Sequence, residues 1–140
     1  MTAKTIEEFF GTLQQATVET WKEHLKTDKY SNHMALDEFY KEVPEMVDTL
    51  IEDYMGIYGK LDEYKNVMTT EKVSAIDYLK NLRVFVSDSR EELIDEDDTE
   101  LWSDIDEILS LIDSTLYKLK ELKESSSKSL KDFLLESLKD

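Results

Sequence analysis

Cysteine is missing altogether, which removes disulfides, thiolate metal sites and cysteine nucleophiles together. Any metal must sit on imidazole and carboxylate, and only two histidines, His24 and His33, can supply the imidazole. Proline occurs once and glycine three times in 140 residues, so turn-rich sheet architectures have almost no punctuation to work with. No stretch approaches the roughly 18 apolar residues of a membrane span, and the opening MTAKTIEEFFGT lacks the apolar run of a secretory leader. The expectation is a soluble, cytoplasmic protein that does not engage a membrane. Positive charge is scarce as well: 17 Lys and Arg stand against 33 Asp and Glu, a formal charge of −16. That surface repels phosphate backbones and disfavours direct DNA binding. Gly-rich phosphate loops and serine nucleophile motifs are absent too.

What remains is a chain with 40% apolar and 36% charged residues, patterned for long helices in one domain. Ile6, Phe9, Phe10, Leu13, Thr17, Trp21 and Leu25 recur at helical spacing, with Thr5 as N-cap and Glu8 three residues later, predicting helix A over about 5–26. After a short polar connection, with Ser31 or Asn32 as cap, helix B is predicted over about 32–58. Its apolar row is Leu36, Phe39, Tyr40, Val43, Val47, Leu50, Tyr54 and Tyr58, and Gly59 stands where a C-cap belongs. Pro44 predicts a kink rather than two helices. A connector over 59–70 leads to helix C, about 71–93, with Val73, Ile76, Leu79, Leu82 and Val86 on one face. Helix D, about 99–123, carries the near-heptad seam Leu101, Ile105, Ile108, Ile112, Leu116 and Leu119. A short amphipathic tail helix is predicted over about 128–139. The fold class is therefore all-α, a four-helix bundle with a short C-terminal helix.

Both histidines fall where helices A and B meet. His24 lies on the inward face of helix A, and His33 is followed four residues later by Asp37, an interval that stacks the two side chains on one helix face. Asp48 and Glu52 form a second such pair, and the four residues lie within about 100° of one another on a helical wheel. Asp37 and Asp48 are nevertheless roughly 16 Å apart along the axis, so one straight helix cannot bring both pairs to one metal. If two copies of helix B cross antiparallel near Val43, His33 and Asp37 of one chain face Asp48 and Glu52 of the other, and His24 closes each of two equivalent sites. The resulting His, His, Asp, Asp, Glu set suits iron and accepts zinc or manganese. In so acidic a chain, Asp48 with Glu52 alone would be read as a solvated face. Met34, Met46, Met55 and Met68 are read as packing residues, and Trp21 and Trp102 as core or dimer contacts.

The stretch HLKTDKYSNHMALDEFYKEVPEMVDTLIEDYMG, and more broadly residues 17–60, resembles the Dps branch of the ferritin-like superfamily. The resemblance implies a ferritin-like bundle in which a His ends helix A, a His and an Asp four residues later lie on helix B, and an Asp-x-x-x-Glu pair comes from the two-fold mate. The matching positions are His24, His33, Asp37, Asp48 and Glu52. Three departures stand out: a shorter interval between the histidines, Leu25 where the family commonly has Trp, and Pro44 near the expected axis. The basic tail with which some Dps proteins grip DNA is reduced to Lys4. Among known variants the sequence is most similar to compact members carried by tailed bacteriophages. A di-iron site within one subunit is excluded, because it needs Glu-x-x-His on each of two helices and no His follows His33.

The function the resemblance implies is iron binding and oxidation, a ferroxidase acting at a di-metal site shared across a homodimer, with a higher oligomer conceivable. The alternative is a non-catalytic acidic interaction protein that keeps the dimer and uses any metal structurally. The connector sets a further expectation: a ferritin-type crossover must return along helix B, and residues 60–70 can do so only when nearly extended.

Overall fold

The apolar rows fold into four helices in a computed structural model that describes residues 1–121 and Leu138: α1 (Ile6–Lys26), α2 (Tyr30–Tyr58), α3 (Ala75–Leu93) and α4 (Thr99–Glu121). Apart from Leu138, the tail helix expected near 128–139 lies outside the described residues. Thr5 caps α1 by accepting from the Glu8 amide at 3.2 Å, and Glu8 reaches back to the Lys4 amide rather than to that of Thr5. The expected cap of α2 is corrected. The helix starts at Tyr30 with Lys29 as N-cap and no side-chain cap bond, so Ser31 and Asn32 already lie inside it. Thr27 does local work instead, accepting from the Lys29 amide. α2 continues through Pro44 as one helix and ends at Gly59, whose φ of 93° is one that L side chains rarely adopt.

The buried face of α1 also differs from its expected row. Phe9, Phe10 and Leu13 are buried, but the row then continues through Ala16, Thr20 and His24, while Trp21 and Leu25 are 48% and 68% exposed. Small Ala16 and Thr20 fit where α1 meets its neighbours, and the larger side chains turn outward. The rows of α2 and α4 pack as their spacing predicts: Leu36, Phe39, Val43, Val47 and Leu50 meet Leu101, Ile105, Ile108, Ile112 and Leu116, joined by Leu79, Leu82, Phe85 and Val86 of α3 in one core.

The connection from α2 to α3 decides the topology. Residues 59–74 climb along α1: the Lys65 amide donates to the Glu7 carbonyl, the Val67 amide to Thr12 Oγ1, and the Thr70 amide and hydroxyl to Glu19 Oε1 at 2.7 and 3.0 Å. The segment thus runs parallel to α1, and α3 then descends until Ser89 accepts from the Ala3 amide. α4 ascends, with Tyr58 bonded to Asp98 at one end and Lys118 paired with Glu38 at the other. Up, down, down, up with one long crossover is the connectivity of ferritin-like bundles. Strain is avoided because α3 starts at Ala75, capped by Ser74, later than its apolar pattern predicts. Nineteen helical residues span only about 28 Å, well within the reach of residues 59–74.

Candidate functional site

The tight α1–α2 turn brings both histidines together at the upper end of the bundle. His24 is 6% exposed. Its Nε2 lies 3.1 Å from His33 Nε2 and 3.6 Å from Asp37 Oδ1, and the two rings are tilted at 40° with centroids 3.8 Å apart. His33 Nδ1 is 3.1 Å from the His24 carbonyl oxygen. A carbonyl only accepts, so that bond fixes the proton on Nδ1 and leaves His33 Nε2 with its lone pair facing His24. A backbone carbonyl orienting an imidazole in this way is a common support of histidine ligands.

Tyr40 forms a wall, its ring 5.0 Å from His24 and stacked on Trp21 at 6.0 Å. Burial, and then neighbouring His33, push His24 below the ordinary imidazole value, with Asp37 pulling the other way. His24 is therefore neutral and free of proton competition to lower pH than an exposed histidine. Lys41 is the main influence on Asp37: its hydrogen bond and charge, helped by His24 and Tyr40, hold that carboxyl below the usual carboxylate range against burial. Lys41 Nζ lies 3.0 Å from both carboxylate oxygens. Its role was readable in the sequence as an i, i+4 partner of Asp37 but is obscured there by the abundance of charge.

The donor spacings suit an ion. Two ligand atoms each about 2.1 Å from one metal, at octahedral or tetrahedral angles, lie about 3.0–3.4 Å apart, close to the observed 3.1 and 3.6 Å. With the His33 Nε2 lone pair 3.1 Å away, His24 Nε2 carries the proton in the metal-free chain, and His24 Nδ1, buried without a hydrogen-bond partner, is the nitrogen that would take it when Nε2 binds an ion. Asp48 and Glu52 are exposed on the distal half of α2 and do not join the histidines within the chain. Asp48 lines a surface groove with Gln14, Val18, Pro44 and Ile51. Among the described residues no group of three or more His, Cys, Asp or Glu can by itself hold a metal ion. One chain offers two nitrogens and a slightly more distant carboxylate, the beginning of a ligand set. No described helix is long and apolar enough to cross a membrane.

Residues 24–119 match a family described as a family of unknown function, DUF5856. The matched span begins at His24 and takes in every residue of the candidate site. An uncharacterised 14.6 kDa protein from the mobD–ri intergenic region of Enterobacteria phage T4 is 32% identical over 54 residues, which cover 39% of this chain and 42% of the phage protein. No solved structure matches the chain.

Proposed function

The chain belongs to the DUF5856 family, and we propose that it is a Dps-like metal-binding protein, binding and oxidising iron at a site shared between two chains. The observation that carries this reading is the meeting of His24 Nε2 with His33 Nε2 and Asp37 Oδ1 on a bundle of ferritin connectivity. In the proposed dimer, His24, His33 and Asp37 of one chain are completed by Asp48 and Glu52 of the other, and two such sites are related by the two-fold axis. An exposed row on α1, Val18, Trp21 and Leu25, and the groove at Pro44 and Asp48 give the second chain a surface to cover. Iron bound there supplies a one-electron donor to oxygen or peroxide, and zinc or manganese would fit the same donors. The chain's own part is to keep His24 neutral to lower pH than an exposed histidine, keep Asp37 ionised and hold the His33 ring in one tautomer. Similarity to a phage T4 protein supports a phage setting, with the host cytoplasm as the place of action.

The second reading, an acidic interaction protein that keeps the bundle without catalysis, draws on the incomplete ligand set of one chain and on Asp37 being held by Lys41. Metal content after chelator-free purification separates the two: stoichiometric iron or zinc supports the first, and apo protein with an intact dimer supports the second. The shared site has a sharper test. Asp37→Asn or Asp48→Asn homodimers should each lose both tight sites, whereas a mixed dimer of the two variants should keep one intact site and one doubly broken. Two equal sites in the mixed dimer would end the shared-site reading.

A further inference from the structure

Lys41 stands where the site meets solvent. It lines, with Tyr30, Met34, Ala35, Asp37 and Lys118, a cleft of about 580 Å³ on the α2–α4 side. Its ammonium straddles the Asp37 carboxylate, 3.0 Å from each oxygen, while Asp37 Oδ1 also faces His24 Nε2. The Lys41 side chain is 62% exposed, so it can swing into water by rotamer change alone, without moving the helix. The ion pair joins two residues of one helix. Lys118 with Glu38, by contrast, ties α4 to α2, and Arg83 and Arg90 tie α3 to α4 through Asp113 and Asp106. Losing Lys41 therefore unlocks no helix from another, and its consequence falls on the charge at the site.

We propose that Lys41 is a built-in counter-cation that guards the metal site: it occupies Asp37 until an entering cation displaces it, and so sets which cations are held. This rests on the metal-binding reading above. A divalent ion that also gains two imidazoles displaces the ammonium, whereas a cation held only by carboxylate charge gains too little. Glu42, further along the same cleft, gives the released ammonium another carboxylate to visit. Displacing Lys41 costs the same for every cation, so the preference for nitrogen-seeking metals comes from the imidazoles, and the guard raises the threshold beneath which cations that take only oxygen, such as magnesium or calcium, are not held.

The test is a charge series at one position, Lys41→Arg, Lys41→Met and Lys41→Glu, titrated with Co²⁺, Zn²⁺ and Mg²⁺ by calorimetry and cobalt absorption, alongside His33→Ala. Affinity for Co²⁺ and Zn²⁺ is expected to follow Arg similar to Lys, then Met, then Glu, rising roughly two- to fivefold per step at low salt and converging as salt is raised. Mg²⁺ binding should become measurable first in Lys41→Glu. Equal affinities across the series, with His33→Ala still abolishing binding, would overturn the guard and leave the metal site standing. Absence of Co²⁺ and Zn²⁺ binding in the wild type would remove both. Circular dichroism of the metal-free variants should show unchanged folds, and Lys41→Arg restoring wild-type affinity would tie the effect to charge rather than to packing.

Discussion

Replacing Gly11 by Ala should destabilise the protein even though alanine is the better helix former. A Cβ built at Gly11 would sit 2.3 Å from both the amide nitrogen and the carbonyl oxygen of Lys65, and 2.6 Å from its carbonyl carbon. These are backbone atoms of the crossover, so no side chain can rotate away. Relief requires lifting the segment by about 1 Å, which stretches the Lys65 amide bond to the Glu7 carbonyl and the Val67 amide bond to Thr12 Oγ1, both 3.0 Å. Two such hydrogen bonds are worth about 1 kcal/mol each, and overpacking adds about 1–3 kcal/mol. The helix propensity of Ala over Gly returns about 1 kcal/mol, so the net expectation is a loss of about 2–4 kcal/mol. Gly56, in α2, has nothing within 4 Å of its would-be Cβ and serves as the internal control. Gly56→Ala should be stabilising by about 0.5–1 kcal/mol. Urea unfolding at neutral pH gives both numbers. A Gly11→Ala protein as stable as the wild type, or more so, would refute the close packing of crossover on α1.

Two further outcomes concern carboxyl groups away from the histidines. Burial pushes the Glu19 carboxyl up, but hydrogen bonds from Gln15, Thr70 and Lys22 outweigh it and leave it below its ordinary value of 4.5. Its contribution is therefore present above about pH 4.5 and lost as pH falls below it. Glu19→Gln should cost about 1–3 kcal/mol at pH 7 and flatten the acid limb of the stability profile, and a profile parallel to the wild type would disprove the anchoring role. Asp104 behaves oppositely: burial, a hydrogen bond with Asp53 on α2, and the charges of Asp53, Glu107 and Glu100 push it up to about 7. The folded state then holds a proton that the unfolded chain has released, so stability falls as pH rises from about 4 to about 7. Asp104→Asn should gain about 1–2 kcal/mol at pH 8 relative to the wild type, after allowance for solvent screening, and chemical denaturation at pH 5 and pH 8 would expose an absent difference.

The four helices were legible because each carries a long apolar row, and a row such as Leu101, Ile105, Ile108 and Ile112 has only one way to be buried. The crossover was not. Its course depends on Gly11, Thr12 and Glu19 of α1 receiving backbone groups more than fifty residues later, and nothing local to residues 59–74 announces that pairing. Thr12 and Glu19 read as ordinary polar positions of an amphipathic helix, yet both are buried. The outward turn of Trp21 and Leu25 was illegible for a similar reason. The expected row through Trp21 and Leu25 and the buried row through Ala16, Thr20 and His24 lie about 100° apart, and the fit of small Ala16 and Thr20 against the neighbouring helices selects the second.

The candidate site divides along the same line, between what the chain must bring together and what it leaves to assembly. His24 and His33 are joined by a turn so short that two antiparallel helices place them side by side, and Asp37 follows from helical periodicity. The juxtaposition of all three is therefore a property of local sequence. Asp48 and Glu52 obey the same periodicity, but α2 carries them to the exposed half of the helix, where no other described part of the chain reaches the histidines. In the proposed shared site their meaning depends on a second chain, and the two sets of residues should then separate under dilution. If the shared-site reading is right, tight metal binding must weaken as the dimer dissociates, and the metal must in turn tighten the dimer by the same factor. A metal affinity independent of protein concentration across the dissociation range would confine the site to His24, His33 and Asp37 alone.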